Sequence, residues 1–173
     1  MPQEFRDNFS SSATSAPKDF DVTQAESPEQ IAAIRELFLE YSHSLSFSLC
    51  FQSFDEEIAG LPGDYAPPEG RLILVTFESQ AAGCVALHKL DDEVCEMKRL
   101  YVRPQFRGKG LGKALAERVI NEARAIGYKK LRLDTVEPVM RTAVAMYRQL
   151  GFREIAPYRS NPIEGALYME LEL

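Results

Sequence analysis

Hydrophobic and polar positions alternate and recur along most of this chain, and the periods predict its elements in order. Residues 20–25 alternate apolar and polar as a first strand. Ser27-Pro28-Glu29-Gln30 then supplies an N-cap, a proline in the first turn and a capping-box glutamine. Ile31, Ile34, Leu37, Phe38 and Tyr41 follow at helical spacing, so an amphipathic helix runs to about Ser42. From His43 to Pro68 the pattern is irregular. Leu45, Phe47, Leu49 and Phe51 alternate like a strand, Phe54 to Ile58 starts a short helix, and residues 60–68 are Gly- and Pro-punctuated loop. Residues 71–77, 81–89 and 94–102 read as three successive strands, an antiparallel meander with turns at 78–80 and 91–93. Leu111, Leu115, Val119, Ala123 and Ile126 mark a long helix ended by Gly127. A strand at 130–134, a helix at 141–150 stopped by Gly151, and strands at 152–155 and 167–173 complete the order. The strands ending at 102 and starting at 130 are separated by a helix and are therefore expected to be parallel neighbours in a central βαβ unit. The fold class expected is α/β (α+β): a mixed, mostly antiparallel sheet with helices on both faces.

Length and composition narrow the picture. The 173 residues suit one well-cored domain, assigned to 19–173. Residues 1–18 are polar and Ser-rich with little to bury, and read as a disordered or leader tail. A net charge of -6 argues against nucleic acid as a partner. No apolar run approaches the ~20 residues that cross a bilayer, so no membrane partner is expected and the cytoplasm is the default location. Cys50, Cys84 and Cys95 form no C-x-x-C pair and have only His43 and His88 for company, so no metal site is expected; they read as reduced thiols acting as small hydrophobes.

Against this acidic background, residues 98–113 contain no acid, and Arg107-Gly108-Lys109-Gly110-Leu111-Gly112-Lys113 joins a strand to a helix. Glycines let backbone N–H groups turn inward, and a helix start adds a positive dipole end, which together make a phosphate cradle. Two familiar cradles fail on spacing. A G-x-G-x-x-G loop starting at Gly108 needs glycine where Lys113 stands; a P-loop ending in Gly112-Lys113 needs glycine where Arg107 stands and a hydroxyl where Ala114 stands.

What remains, Arg107-x-x-Gly110-x-Gly112 after Leu100-Tyr101-Val102-Arg103-Pro104, resembles the acyl-CoA motif of the GNAT superfamily of N-acetyltransferases. A second and independent match is Ala143-x-x-Met146-Tyr147-x-x-x-Gly151-Phe152, and the likeness covers residues 20–173. The resemblance implies an acyltransferase that moves an acetyl group from acetyl-CoA to a primary amine by direct attack in a ternary complex, without metal. It implies that backbone N–H groups of Arg107, Gly108, Lys109, Gly110, Leu111, Gly112 and Lys113 hold the pyrophosphate. Leu100, Tyr101 and Val102 would meet the pantetheine arm, and Tyr147 would protonate the leaving thiolate. One departure stands out: Met140 occupies the position where many relatives carry a cofactor-contacting asparagine.

Chemistry agrees with these roles and leaves alternatives open. Acyl transfer needs an anion site, a polarised carbonyl, a neutral amine and a proton for the thiolate. Tyr147 is either that acid or a packed aromatic of an amphipathic helix. Glu96, on the strand feeding the loop, is either the base, directly or through water, or the partner of Lys98 or Arg99 at the sheet surface. Simple alternation puts Glu96, Lys98 and Leu100 on one face and Cys95, Met97, Arg99 and Tyr101 on the other. Phe47, Phe51, Gln52 and Tyr65, with residues 158–162, are expected to wall the acceptor site. The acceptor is a small-molecule amine or a protein or peptide amine; the acidic surface leans toward a cationic one, while Arg71, Arg99 and Arg159 equally suit a carboxylate. A homodimer is compatible with the sequence. The rival functions are a CoA-binding sensor without transferase activity and an enzyme for longer acyl chains.

Overall fold

A computed structural model describes residues 19–173. The expectation of a disordered or leader tail at 1–18 lies outside the described residues. The elements are β1 (Phe20–Gln24), α1 (Pro28–Ser44), α2 (Phe54–Ala59), β2 (Arg71–Phe77), β3 (Gln80–Lys89), β4 (Val94–Val102), α3 (Leu111–Ile126), β5 (Lys130–Val136), α4 (Arg141–Gln149), β6 (Arg153–Ile155) and β7 (Ala166–Glu172). They build one seven-stranded sheet in the order β1-β2-β3-β4-β5-β7-β6. Every pairing is antiparallel except β4 with β5, as the intervening helix requires.

Local chemistry accounts for the helix ends. The Gln30 N–H donates to Ser27 Oγ at 3.2 Å while the Ser27 N–H donates to Gln30 Oε1 at 3.1 Å, the reciprocal cap the sequence predicts. Such a cap stabilises a helix by about 1 kcal/mol. Cores form on both faces of the sheet. On one, Leu111, Leu115, Val119 and Ala123 of α3, with Val144 and Tyr147 of α4, cover Ile73, Val85, Met97 and Leu131. On the other, Ile34, Leu37 and Phe38 of α1 and Phe54 of α2 cover Leu72, Leu74, Cys84, Ala86 and Tyr101. Each fully buried Leu or Ile contributes roughly 1.5–3 kcal/mol relative to exposure, so the two layers lock the central strands from both sides.

Two expectations are corrected. Residues 45–51 are not a strand: helix α1 reaches Ser44, and the segment closes in a 3₁₀ turn at Cys50–Gln52. Leu49 is buried against α1 and β4 without any strand partner, so its alternation reflects side chains dipping onto a core and not a ladder. Cys84 and Cys95 are buried small hydrophobes, but Cys50 is exposed.

Candidate functional site

The parallel ladder between β4 and β5 is short. It joins Val94 to Lys130, Cys95 to Leu131 and Glu96 to Arg132, and it goes no further. Residues 97–102 and 133–136 continue as strands without pairing to each other, so the sheet opens into a cleft at its centre.

A β-bulge sits at the point of divergence. Lys98 pairs with Ala86 and Tyr101 with Cys84, which leaves Arg99 and Leu100 opposite the single residue Val85. Arg99 takes a left-handed backbone, φ 60°, which a non-glycine side chain adopts only when its surroundings hold it there. Those surroundings are strong. Arg99 Nη2 donates to Glu57 Oε2 at 2.6 Å, its Nη1 donates to Gln52 Oε1 at 2.8 Å, and its guanidinium lies 5.1 Å from the Phe54 ring centre. The bulge overturns the simple alternation: Leu100 joins Cys95 and Met97 on the α3 face, while Arg99 joins Glu96, Lys98 and Tyr101 on the α1 and α2 face.

The cleft is lined from both strands and from α4. Met97, Lys98, Arg99 and Leu100 come from β4, Leu133 to Val136 from β5, and Met140, Ala143 and Tyr147 from α4 and its approach. Tyr41, Phe47, Leu49 and Gln52 close one side and Asn161 the other. Tyr147 is buried beside Phe152, ring centres 5.6 Å apart, and its hydroxyl makes no hydrogen bond to another described residue. Burial pushes its phenol well above the ordinary value, so it stays protonated at neutral pH and is a weaker acid than a free phenol. Met140 also faces the cleft, where its sulfur accepts from the Thr135 hydroxyl at 3.1 Å.

Beyond the cleft mouth, the glycine loop hands over to α3. Gly110 is the N-cap with φ 81° and Gly108 has φ 76°, conformations that side chains disfavour. Neither is closed in by other atoms, so the backbone angle and not space is what requires glycine. No side chain caps α3, so its first-turn N–H groups have no side-chain acceptor among the described residues. Gly112 differs: a Cβ there would meet Val102 Cγ2 at an ordinary 3.9 Å. Gly108, Lys109, Gly110 and Lys113 are exposed, Gly112 is half-buried and Leu111 is buried in the core. Arg107 donates from Nε to the Val102 carbonyl at 3.0 Å and stacks over Tyr101, which fixes the loop to the end of β4. Arg103 turns the opposite way, to Glu40 of α1 at 2.7 Å.

Glu96 is completely buried. Tyr158 donates to its Oε2 at 2.6 Å, while His88 Nε2 and Arg159 Nη1 each lie 3.1 Å from its Oε1. Burial by itself would raise its pKa, but His88, Arg159, Lys98 and Tyr158 outweigh that and hold it below the usual carboxylate range. Arg159 also pairs with Asp134, which accepts from Asn161 Nδ2 at 2.9 Å. The family resemblance puts residues 158–162 in the acceptor wall; the sequence gives no sign of Asp134, whose partners Arg159 and Asn161 lie 25 and 27 residues away, nor of the His88–Glu96 contact across the β3–β4 hairpin.

The chain is similar in sequence and fold to known proteins. The family model described as "Acetyltransferase (GNAT) family" matches residues 31–152. An uncharacterized N-acetyltransferase of Schizosaccharomyces pombe is 36% identical over 159 residues, covering 91% of this chain and 97% of that one. An acetyltransferase structure from Streptococcus agalactiae superposes with a TM-score of 0.73 at 23% identity, covering 90% of this chain and 99% of that one. A GNAT family acetyltransferase from Elizabethkingia anophelis, solved with acetyl-CoA bound, superposes with a TM-score of 0.62 at 21% identity over 90% and 99% of the two chains. The chain belongs to the GNAT family of acetyltransferases.

Proposed function

We propose that the chain binds acetyl-CoA along the glycine loop and the open end of β4, and transfers the acetyl group directly to an amine bound in the same cleft. The observation that carries this reading is the opening of the sheet between β4 and β5 just ahead of a helix start without a side-chain cap. The pyrophosphate accepts from the backbone N–H groups of residues 108–113. The pantetheine arm runs past Leu100, Tyr101 and Val102, whose strand has no neighbour on the β5 side. The thioester then sits in the cleft near Tyr147.

In the transfer, the amine lone pair attacks the thioester carbonyl carbon and the C–S bond breaks. Tyr147 gives its proton to the departing thiolate and regains one from solvent. The amine nitrogen loses its proton to water in the cleft. Glu96 is enclosed by Tyr158, His88 and Arg159 and held below the usual carboxylate range, so it orders those groups and does not itself take the proton.

The test is Tyr147→Phe. Turnover is expected to fall about 100-fold or more, the scale of a lost general acid, while acetyl-CoA affinity stays within about twofold. Unchanged turnover across the pH range would remove Tyr147 from the mechanism. Binding of acetyl-CoA without CoA release against a broad amine panel would favour the sensor reading.

A further inference from the structure

Next to the cleft lies a second cavity of about 340 Å³, bounded by α2, the loop after it, and His88. Its size falls at the lower end of small-ligand sites, roughly 300–1,000 Å³. Gln52 and Lys98 line both cavities and form the threshold between them. The hydrogen-bonding capacity left over at this threshold is one-sided. The three acids beside it are committed: Glu57 to Arg99 and Tyr65, Glu96 to His88, Tyr158 and Arg159, and Asp134 to Arg159 and Asn161.

The donors are not. Lys98 has a side chain only 11% exposed, its nearest acid oxygen is Glu96 Oε1 at 3.9 Å, and its ammonium makes no hydrogen bond among the described residues. Gln52 spends its carbonyl oxygen on Arg99, and its amide NH₂ makes no hydrogen bond among the described residues. Arg159, which shares Glu96 Oε1 with Lys98, holds a buried Nε with no partner among the described residues. An ammonium taken out of water without an acceptor is costly, and burial accordingly pulls the Lys98 pKa down, with Arg99 adding to the effect. A folded chain tolerates such a group where a ligand completes it.

Building on the transferase reading above, we propose that the acceptor is an amine carrying one carboxylate, of the amino-acid type, and that Lys98 and the Gln52 amide bind that carboxylate at the threshold. The amine then projects into the cleft toward the thioester, and the rest of the acceptor occupies the second cavity. The exposed acids Glu56 and Asp64 on the outer side of that cavity work against a second carboxylate there. Lys98 is thus a specificity residue that holds the acceptor and takes no part in bond making.

The experiment measures CoA release from acetyl-CoA with monocarboxylate amino acids, their carboxamides and the matching decarboxylated amines, using wild type, Lys98→Met and Lys98→Arg. For wild type, kcat/KM for the best amino acid is expected to exceed that for its amide about 10- to 100-fold, the scale of a lost hydrogen-bonded charge contact. Lys98→Met is expected to erase that preference, and Lys98→Arg is expected to keep part of it. Amides or simple amines acetylated as well as amino acids would overturn the carboxylate site and leave the transferase reading standing. A Lys98→Met variant that retains the preference would overturn the site in the same way. Acetyl-CoA binding with no turnover of any compound would overturn both.

Discussion

Replacing Glu57 with alanine tests whether the Arg99 bulge is held by charge. Arg99 has a side chain only 3% exposed and Glu57 one 13% exposed, so the pair is shielded from solvent. The guanidinium donates through Nε to both carboxylate oxygens at 3.2 Å and through Nη2 at 2.6 Å. Removing one partner of a buried pair costs about 3–5 kcal/mol, since the other charge stays buried. Gln52 and the Phe54 ring remain on Arg99, which places the expectation near the low end, about 3 kcal/mol. For a domain of this size each kcal/mol moves the thermal midpoint by about 2–4 °C, so a drop of about 6–12 °C is expected in a calorimetric scan. Glu57→Ala combined with Arg99→Met removes both charges and is expected to recover much of the loss, because apolar replacement of a buried pair is often near neutral. A loss below about 1 kcal/mol for the single variant, or a double variant no better than the single, would refute the charge-held bulge.

Other expectations follow from the site. Gly110→Ala forces an alanine into φ 81° and should cost about 1–2 kcal/mol in urea unfolding. Gly112→Ala should unfold within about 0.5 kcal/mol of wild type, because its methyl group meets only ordinary contacts, and any weakening of acetyl-CoA binding, read by calorimetry, would report the ligand's own approach. Glu96→Gln probes pH dependence. A carboxyl held below its ordinary 4.5 in the folded state contributes stability that is present above that value and lost as pH falls through the folded pKa. The stability gap between wild type and Glu96→Gln should therefore be wide at neutral pH and narrow below about pH 4.5, and a constant gap would refute it.

The parts legible in the sequence are those whose cause is local. The capping box at Ser27, the glycine loop and the helix-separated parallel strands each follow from neighbouring residues or from spacing. The bulge does not, because Arg99 is held at positive φ by Glu57, 42 residues earlier. Alternation therefore misassigns the faces of Arg99, Leu100 and Tyr101 relative to residues 95–98. The buried surroundings of Glu96 are equally hidden: Tyr158 lies 62 residues away, on the segment between β6 and β7. The run at 45–51 misleads for the opposite reason, since its local alternation is genuine but the segment pairs with no strand and closes in the 3₁₀ turn at Cys50–Gln52.

The bulge also reveals how little chain separates an open sheet from a closed one. Were Arg99 excised, Glu96, Met97, Lys98, Leu100, Tyr101 and Val102 would fall into strict alternation, each still on the face it occupies now. Each hydrophobic layer would keep its present members along that shorter strand. The opening beside β5 thus coincides with a single extra residue in β4.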